Sequence, residues 1–233
     1  MLEILYEDTH LVVCIKPCGV LSQPSPTEQE GDMLSLLREQ LNIPYVGLIH
    51  RLDRGVGGVM VFAKTQAAAG KLSAAVANHT MQKEYLAVVH GTPEHSEGEM
   101  HDLLYKDAAK NRSFVVDRMR GGVKDAKLLY RTLQSVCAPH SDESLSLVHV
   151  HLLTGRTHQI RVQFSSRGMP LLGDGKYGAR DHAPIALWSC RLTFPHPFKK
   201  GKTVDVCCPP PSDHPGFALL PLPSREQLLQ STF

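Results

Sequence analysis

An aspartate set between two arginines, just ahead of a glycine-rich turn, is the strongest chemical signal in the chain. His50-Arg51-Leu52-Asp53-Arg54 runs into Gly55, Gly57 and Gly58, and then into the apolar stretch 59–63. Flanking positive charge favours an ionised carboxylate. A nucleophile can use that state, whereas a general acid cannot. Glycines allow backbone shapes closed to other residues and let a bulky ligand come close. From these residues alone Asp53 is either a nucleophile or half of an arginine–aspartate bridge that ties down a loop.

A second group, Gly155-Arg156-Thr157-His158-Gln159-Ile160-Arg161, reads as a turn leading into a helix. Helix N-terminal N–H groups and arginine forks suit phosphate oxygens. Arg161 falls about one turn inside that helix, within reach of a carboxylate brought from elsewhere in the fold. The bland alternative is that Arg156 and Arg161 are merely solvated. Lys83-Glu84-Tyr85 opens an apolar strand, so Tyr85 is a core-edge residue or a ring on which a base stacks. Gly173-Asp174-Gly175-Lys176-Tyr177-Gly178 is a tight loop whose spacing is not that of a phosphate-cradling P-loop.

Metal chemistry finds little support. Cys14 and Cys18 have no second ligand pair at finger-like spacing, Cys207 and Cys208 are adjacent, and His149 with His151 lacks a third ligand. Dinucleotide, nucleophile-elbow and zinc-protease motifs are absent. A carboxylate nucleophile is the most economical catalytic idea. Ordinary glycoside hydrolysis would need a second carboxylate opposite the first, and the neighbours of Asp53 are basic.

The elements that must position these residues follow from periodicity. Strands are expected at 11–15, 59–63, 85–89, 126–133 and 145–153, and helices at 31–41, 66–78 and 157–167. In the last strand Val148, Val150 and Leu152 share one face, and Leu147, His149 and His151 the other. Thr65 is a candidate N-cap, and Leu72 with Val76, like Ile160 with Phe164, makes an i, i+4 apolar pair. Strands outnumber helices at irregular spacing, which predicts an α+β fold on a largely antiparallel mixed sheet rather than repeated βαβ units. Residues 91–98 read as a polar turn. Proline recurs too often in 209–223 for a regular helix, so that stretch is expected to lie as a tail over the body.

Composition sets the wider bounds. The chain has 233 residues, 42% hydrophobic and 21% charged, as an ordinary globular protein does. No run of about 18 apolar residues is present, and the acidic start MLEILYEDTH is no signal peptide. Six cysteines fit a reducing cytoplasm better than a disulfide framework. The net charge of +2 hides segregation, because residues 1–40 are acidic while 106–131 and 150–202 are strongly basic. Such a layout can present one polyanion-facing surface on a nearly neutral molecule, or it is simply a lysine-rich solvated face.

These motifs together resemble the RluA family of RNA pseudouridine synthases. His50 to Arg54, with the run ending Phe62-Ala63-Lys64, is similar to the family's catalytic motif. Lys83-Glu84-Tyr85 is similar to its tyrosine motif and Gly155 to Val162 to its third motif. Gly173-Asp174 with Tyr177-Gly178 continues the match, as does Leu187 with Arg191-Leu192-Thr193-Phe194. So does the opening Leu5-Tyr6-Glu7-Asp8 through Lys16-Pro17 and Gly19. The match runs from about residue 2 to 211, with the motifs in family order.

The resemblance implies isomerisation of specific uridines in ribosomal or transfer RNA, without cofactor or metal. It implies Asp53 as nucleophile, Tyr85 stacked on the uracil, and Arg161 paired with Asp53. Arg51 would support base flipping and Leu187 would pack beneath the ring. Arg54, Arg156, His158 and Lys83 are expected to bind substrate. One catalytic domain over 1–211 is implied, with two subdomains around a central cleft, followed by the tail 212–233. An S4 domain is not expected, because the resemblance starts near residue 2. The partner would be RNA, with no DNA or membrane, and the protein a monomer. Two departures are visible: Gly55-Val56-Gly57-Gly58 lacks the hydroxyls usual in relatives, and Leu187-Trp188-Ser189 replaces a common Leu-His-Ala. The rivals are an inactive RNA-binding protein of the same fold and a nucleoside or sugar-phosphate hydrolase. Without an S4 domain the basic stretches must hold the RNA. Charge reversal of Lys124 and Lys127 is therefore expected to weaken RNA binding and flatten its salt dependence, and a salt titration that leaves both unchanged refutes this.

Overall fold

The run Gly57–Ala63 is buried at every position, which is why it reads as continuous apolar sequence rather than as an alternating strand. The computed structural model describes residues 1–25, 31–137 and 143–231. In chain order the first elements are β1 (Ile4–Glu7), β2 (Leu11–Lys16), α1 (Met33–Leu41), β3 (Gly47–Leu48), β4 (Gly57–Ala63) and α2 (Gln66–Ala77). They are followed by β5 (Gln82–His90), β6 (Glu97–Asp107), β7 (Arg112–Val116), β8 (Val123–Cys137), β9 (Ser144–Leu152) and α3 (Gln159–Ser165). Last come β10 (Leu187–Pro195), β11 (Thr203–Cys207) and α4 (Arg225–Gln230). The architecture is α+β.

The chain forms two compact units. The first comprises Met1–Lys83, Trp188–Pro209 and Ser224–Gln230, and the second, among the described residues, Glu84–Leu187, Pro210–Pro223 and Ser231. In the first unit β4 is central. It is antiparallel to β2 from Leu11↔Ala63 to Lys16↔Gly58, antiparallel to the short β3, and parallel to β10 at Trp188↔Gly57 and Ser189↔Gly58. Strands β1 and β11 pair antiparallel with β2 and β10. Leu11, Val13, Val59, Val61, Leu192 and Phe194 belong to its core. Helix α2 closes that core with Ala68 and Leu72, and Val76 packs at its edge, as the i, i+4 pair predicts. The Thr65 hydroxyl accepts the Ala68 N–H at 3.2 Å and so caps this helix. Asp32 does the same for α1 through the N–H groups of Leu34 and Ser35, so α1 begins two residues later than the sequence reading placed it.

The second unit is an antiparallel run in which β6 pairs with both β7 and β8, and β8 with β9. Neither β6 nor β7 is expected from the sequence: the exposed positions of β6 are mostly charged, and β7 is only five residues long. Strand β6 already begins inside the expected polar turn. In β9 Leu145, Leu147, Val148, His149 and Val150 are all buried, so both faces are covered and the alternation drawn from its sequence does not separate core from solvent. Helix α3 buries Ile160, Val162, Gln163 and Phe164, and Phe164 meets Tyr130 edge-on at 5.9 Å. It starts at Gln159 rather than 157, because His158 adopts a left-handed backbone with φ 54° that no helix can include.

The proline-rich stretch holds only the 3-10 turn Pro215–Phe217, and Phe217 and Leu220 are buried. The last two residues of the expected tail lie outside the described residues. One contact in the first unit is unusually close. A Cβ on Gly58, at φ +118°, would stand 2.2 Å from the Ser189 carbonyl oxygen. Since that oxygen is backbone, Gly58→Ala is expected to destabilise the protein by about 3 kcal/mol through overpacking and strain, measured as a shift in the urea unfolding midpoint.

Candidate active site

The Asp53 loop lies in the first unit and is fastened on both sides. Ser22 Oγ donates to the Leu52 carbonyl at 2.8 Å and accepts the Leu52 N–H at 3.1 Å. On the other side the Arg54 carbonyl accepts the Gly19 N–H at 2.8 Å, and the Arg54 Nε donates back to the Gly19 carbonyl at 3.1 Å. The Val56 N–H then closes the turn on the Asp53 carbonyl at 3.0 Å. Asp53 itself is partly buried, between Arg51 and Arg54, which are exposed.

Lys16 binds this arrangement together. It is fully buried, and its ammonium donates to the carbonyls of Val20 (2.7 Å), Pro17 (2.8 Å) and Arg54 (3.1 Å). Burial pulls its pKa down to about 8, against the opposing pull of the Cys18 and Asp53 charges. Three carbonyl oxygens matched to three N–H donors make the buried charge tolerable. Behind the loop, His50 Nε2 accepts the Val61 N–H at 3.3 Å. Burial, helped by the charge of Lys83, pushes His50 down to about 3, so it stays neutral.

The glycine-rich flank has a steric cause. A Cβ on Gly57 would lie 2.4 Å from the Trp188 ring and 2.9 Å from Cys18 Sγ. The Trp188 ring is held there by its Nε1–H bond to the Cys208 carbonyl at 3.0 Å, and Ser189 Oγ donates to the Val59 carbonyl at 3.0 Å. Gly57 and Trp188 are thus packed directly against one another. The indole occupies the space beside Gly57, and the Ser189 hydroxyl is spent on the Val59 carbonyl within the strand.

The second unit carries Tyr85, Arg156, His158, Arg161 and Leu187. Tyr85 and Leu187 are buried. The segment before α3 is folded by Gln159. Its Oε1 accepts from the Thr154 hydroxyl (2.8 Å) and the Arg156 N–H (3.0 Å), while its Nε2 donates to the Lys127 carbonyl (3.0 Å). Arg156 Nε donates to the Asp125 carbonyl at 2.8 Å. The first N–H of the helix, from Gln159, is already given to the Arg156 carbonyl and so is not free for a phosphate. Arg161 makes a two-point bridge with the buried Asp174, Nε to Oδ2 at 2.7 Å and Nη2 to Oδ1 at 2.8 Å. Asp174 was not assigned a role from the motifs. The signal was Gly173, whose φ of +79° and close approach to the Ala183 carbonyl hold the loop that aims it. Tyr177, also unassigned, lies beneath Arg161 with its ring 5.1 Å from the guanidinium carbon. Its hydroxyl accepts the Ser113 N–H at 2.8 Å and sits 2.9 Å from His158 Nδ1. Among the described residues no three His, Cys, Asp or Glu side chains gather as a cation would require.

Residues 10–166 match the family model described as RNA pseudouridylate synthase, more than half of the chain. The chain belongs to the RluA family of RNA pseudouridine synthases. An RNA pseudouridine synthase of Bacillus subtilis is 32% identical over 222 residues, covering 91% of this chain and 70% of that protein. Ribosomal large subunit pseudouridine synthase D of Pseudomonas aeruginosa is 37% identical over 188 residues, covering 78% of this chain and 55% of the longer relative. The solved human RNA pseudouridylate synthase domain containing 4 shares the fold, with a TM-score of 0.76 at 24% identity over 95% of this chain and 94% of that one. This pseudouridine synthase is therefore an isomerase that converts uridine to pseudouridine in RNA, and the rival readings as a pure binder or a hydrolase are not favoured.

The three carbonyl bonds of Lys16 hold the Asp53 loop, and removing the lysine tests what that hold contributes to the reaction. Lys16→Met is expected to lower single-turnover tritium release from C5-labelled RNA by about 10- to 100-fold, since a displacement near 1 Å costs on that order. RNA affinity should stay within about threefold, because no phosphate contact is lost. An unchanged rate would refute the positioning role.

Proposed function

We propose that this synthase modifies uridines of ribosomal or transfer RNA with Asp53 as its nucleophile. One observation carries the proposal: the backbone is tied at Leu52 and at Arg54, which leaves the Asp53 carboxylate on a fixed loop between two exposed arginines. A nucleophile held this way meets little reorganisation cost on the way to the transition state. In the reaction the N1–C1′ bond breaks, the base turns, and a C5–C1′ bond forms. The C5 proton leaves to solvent and N1 takes one up, so atoms and charge balance without a redox partner.

The remaining roles are proposed on the matched motifs and the local geometry. Tyr85 stacks on the uracil and Leu187 packs beneath it. Arg161, steadied by Asp174 and the Tyr177 ring, orients the Asp53 carboxylate. Arg51 supports flipping, and Arg54, Arg156, His158 and Lys83 hold the RNA. Ribosomal RNA is the substrate supported by relatives named for the large ribosomal subunit. A monomer in the cytoplasm is proposed, and the six free cysteines suit that compartment.

RNA carrying tritium at uridine C5 distinguishes the outcomes. The intact protein is expected to release label to water and Asp53→Asn to release none above background, a loss of at least about 10³-fold. Release by Asp53→Asn would overturn the assignment of the nucleophile, and free uracil as product would revive a hydrolase.

A further inference from the structure

Arg112 opens β7 directly across from Asp107 in the hairpin with β6, where an arginine–aspartate pair would be the ordinary outcome. That pair does not form. The Asp107 carboxylate turns toward the end of the hairpin and accepts the Lys110 N–H at 3.0 Å. The Arg112 guanidinium lies over two rings, its carbon 4.9 Å from the centroid of Tyr177 and 5.5 Å from that of Phe114. Its Nε is buried without an acceptor, and among the described residues neither terminal nitrogen has one.

A guanidinium clamped on aromatic faces has lost much of its rotamer freedom before any ligand arrives. Its remaining N–H groups still need oxygen acceptors. A second cation is close by: Lys176 Nζ donates to the carbonyl of Asn111, the residue before Arg112. Arg161 touches the same Tyr177 ring, but Asp174 matches its charge on both oxygens. Around Tyr177, then, Arg112 and Lys176 are the cations that no described carboxylate neutralises. His158, a residue proposed to hold RNA, is bonded to the same tyrosine.

We propose that Arg112 and Lys176 form a phosphate site that grips the RNA backbone on the Tyr177 side of the second unit. The site rests on the RNA-modifying reading above and adds to it the two side chains that read a phosphodiester. A resident carboxylate at this point would compete with the RNA. The turned-away Asp107 and the fully engaged Asp174 remove that competition, and the rings keep the fork in place.

The test is the salt dependence of binding to a fluorescein-labelled stem-loop RNA with uridines in its loop, followed by anisotropy with the full chain. Each lost phosphate contact should reduce the slope of log affinity against log salt by about 0.7–0.9. Arg112→Gln and Lys176→Gln are each expected to show that reduction, with affinity about three- to tenfold weaker at low salt. Arg112→Lys, which keeps the charge, should recover the slope. Maximal tritium release at saturating RNA should stay within about twofold in all three. Unchanged slopes in both glutamine variants overturn the site, as does a fall in maximal rate with the slope intact, which would mean that Arg112 only props Tyr177. Asp53→Asn should bind with the native slope, so the nucleophile assignment can fail while the phosphate site stands. Absence of binding by the unsubstituted protein sinks both.

Discussion

The buried ammonium of Lys16 is the constraint on which the first unit is arranged. A charge with no exposure must find its full complement of acceptors, and the three carbonyls it finds come from two loops far apart in sequence. Satisfying the lysine therefore fixes the Arg54 carbonyl against residues 17–20, and Asp53 is its immediate neighbour. Ser22 completes the clamp at Leu52. The electrostatic need of one side chain becomes geometric precision in a carboxylate that the lysine does not bond.

The second unit solves a related problem with different chemistry. Arg161 is aimed by a carboxylate and an aromatic ring together, and both come from the Gly173–Gly178 loop. Asp174 is almost completely buried, so its charge is matched by the two-point bridge rather than by water. The Tyr177 hydroxyl carries order onward to Ser113 of β7 and to His158. This tight loop, whose glycine spacing is not that of a P-loop, is the support of the arginine.

The glycine-rich flank is set by what packs against it. Gly57 pairs with Trp188 in the sheet. Here the Trp188 ring and Cys18 Sγ leave no room for a side chain at that position. Parallel pairing of Trp188 and Ser189 with Gly57 and Gly58 then brings backbone against backbone. The indole stands where a Cβ on Gly57 would be, so its position depends on glycine there.

Local and periodic properties were readable from the sequence. The apolar strands β2, β4, β5, β8 and β9, the cap at Thr65 and the Leu72–Val76 pair depend on residues close in the chain, and each appears where expected. The motif residues were also legible, because a family resemblance is carried by residue types in order. What the sequence could not fix was every feature that depends on a distant partner. Strand β6, with its charged exposed positions, and the five-residue β7 take their form from pairing. The left-handed His158 shortens α3 because a long-range bond to Tyr177 accompanies it. The bridge from Arg161 to Asp174, the three carbonyls of Lys16 and the Arg112 fork, unpaired among the described residues, are likewise tertiary facts. Sequence sets which groups are charged and where the chain turns. Only folding decides which charges must be matched internally, because that depends on which of them lose their water.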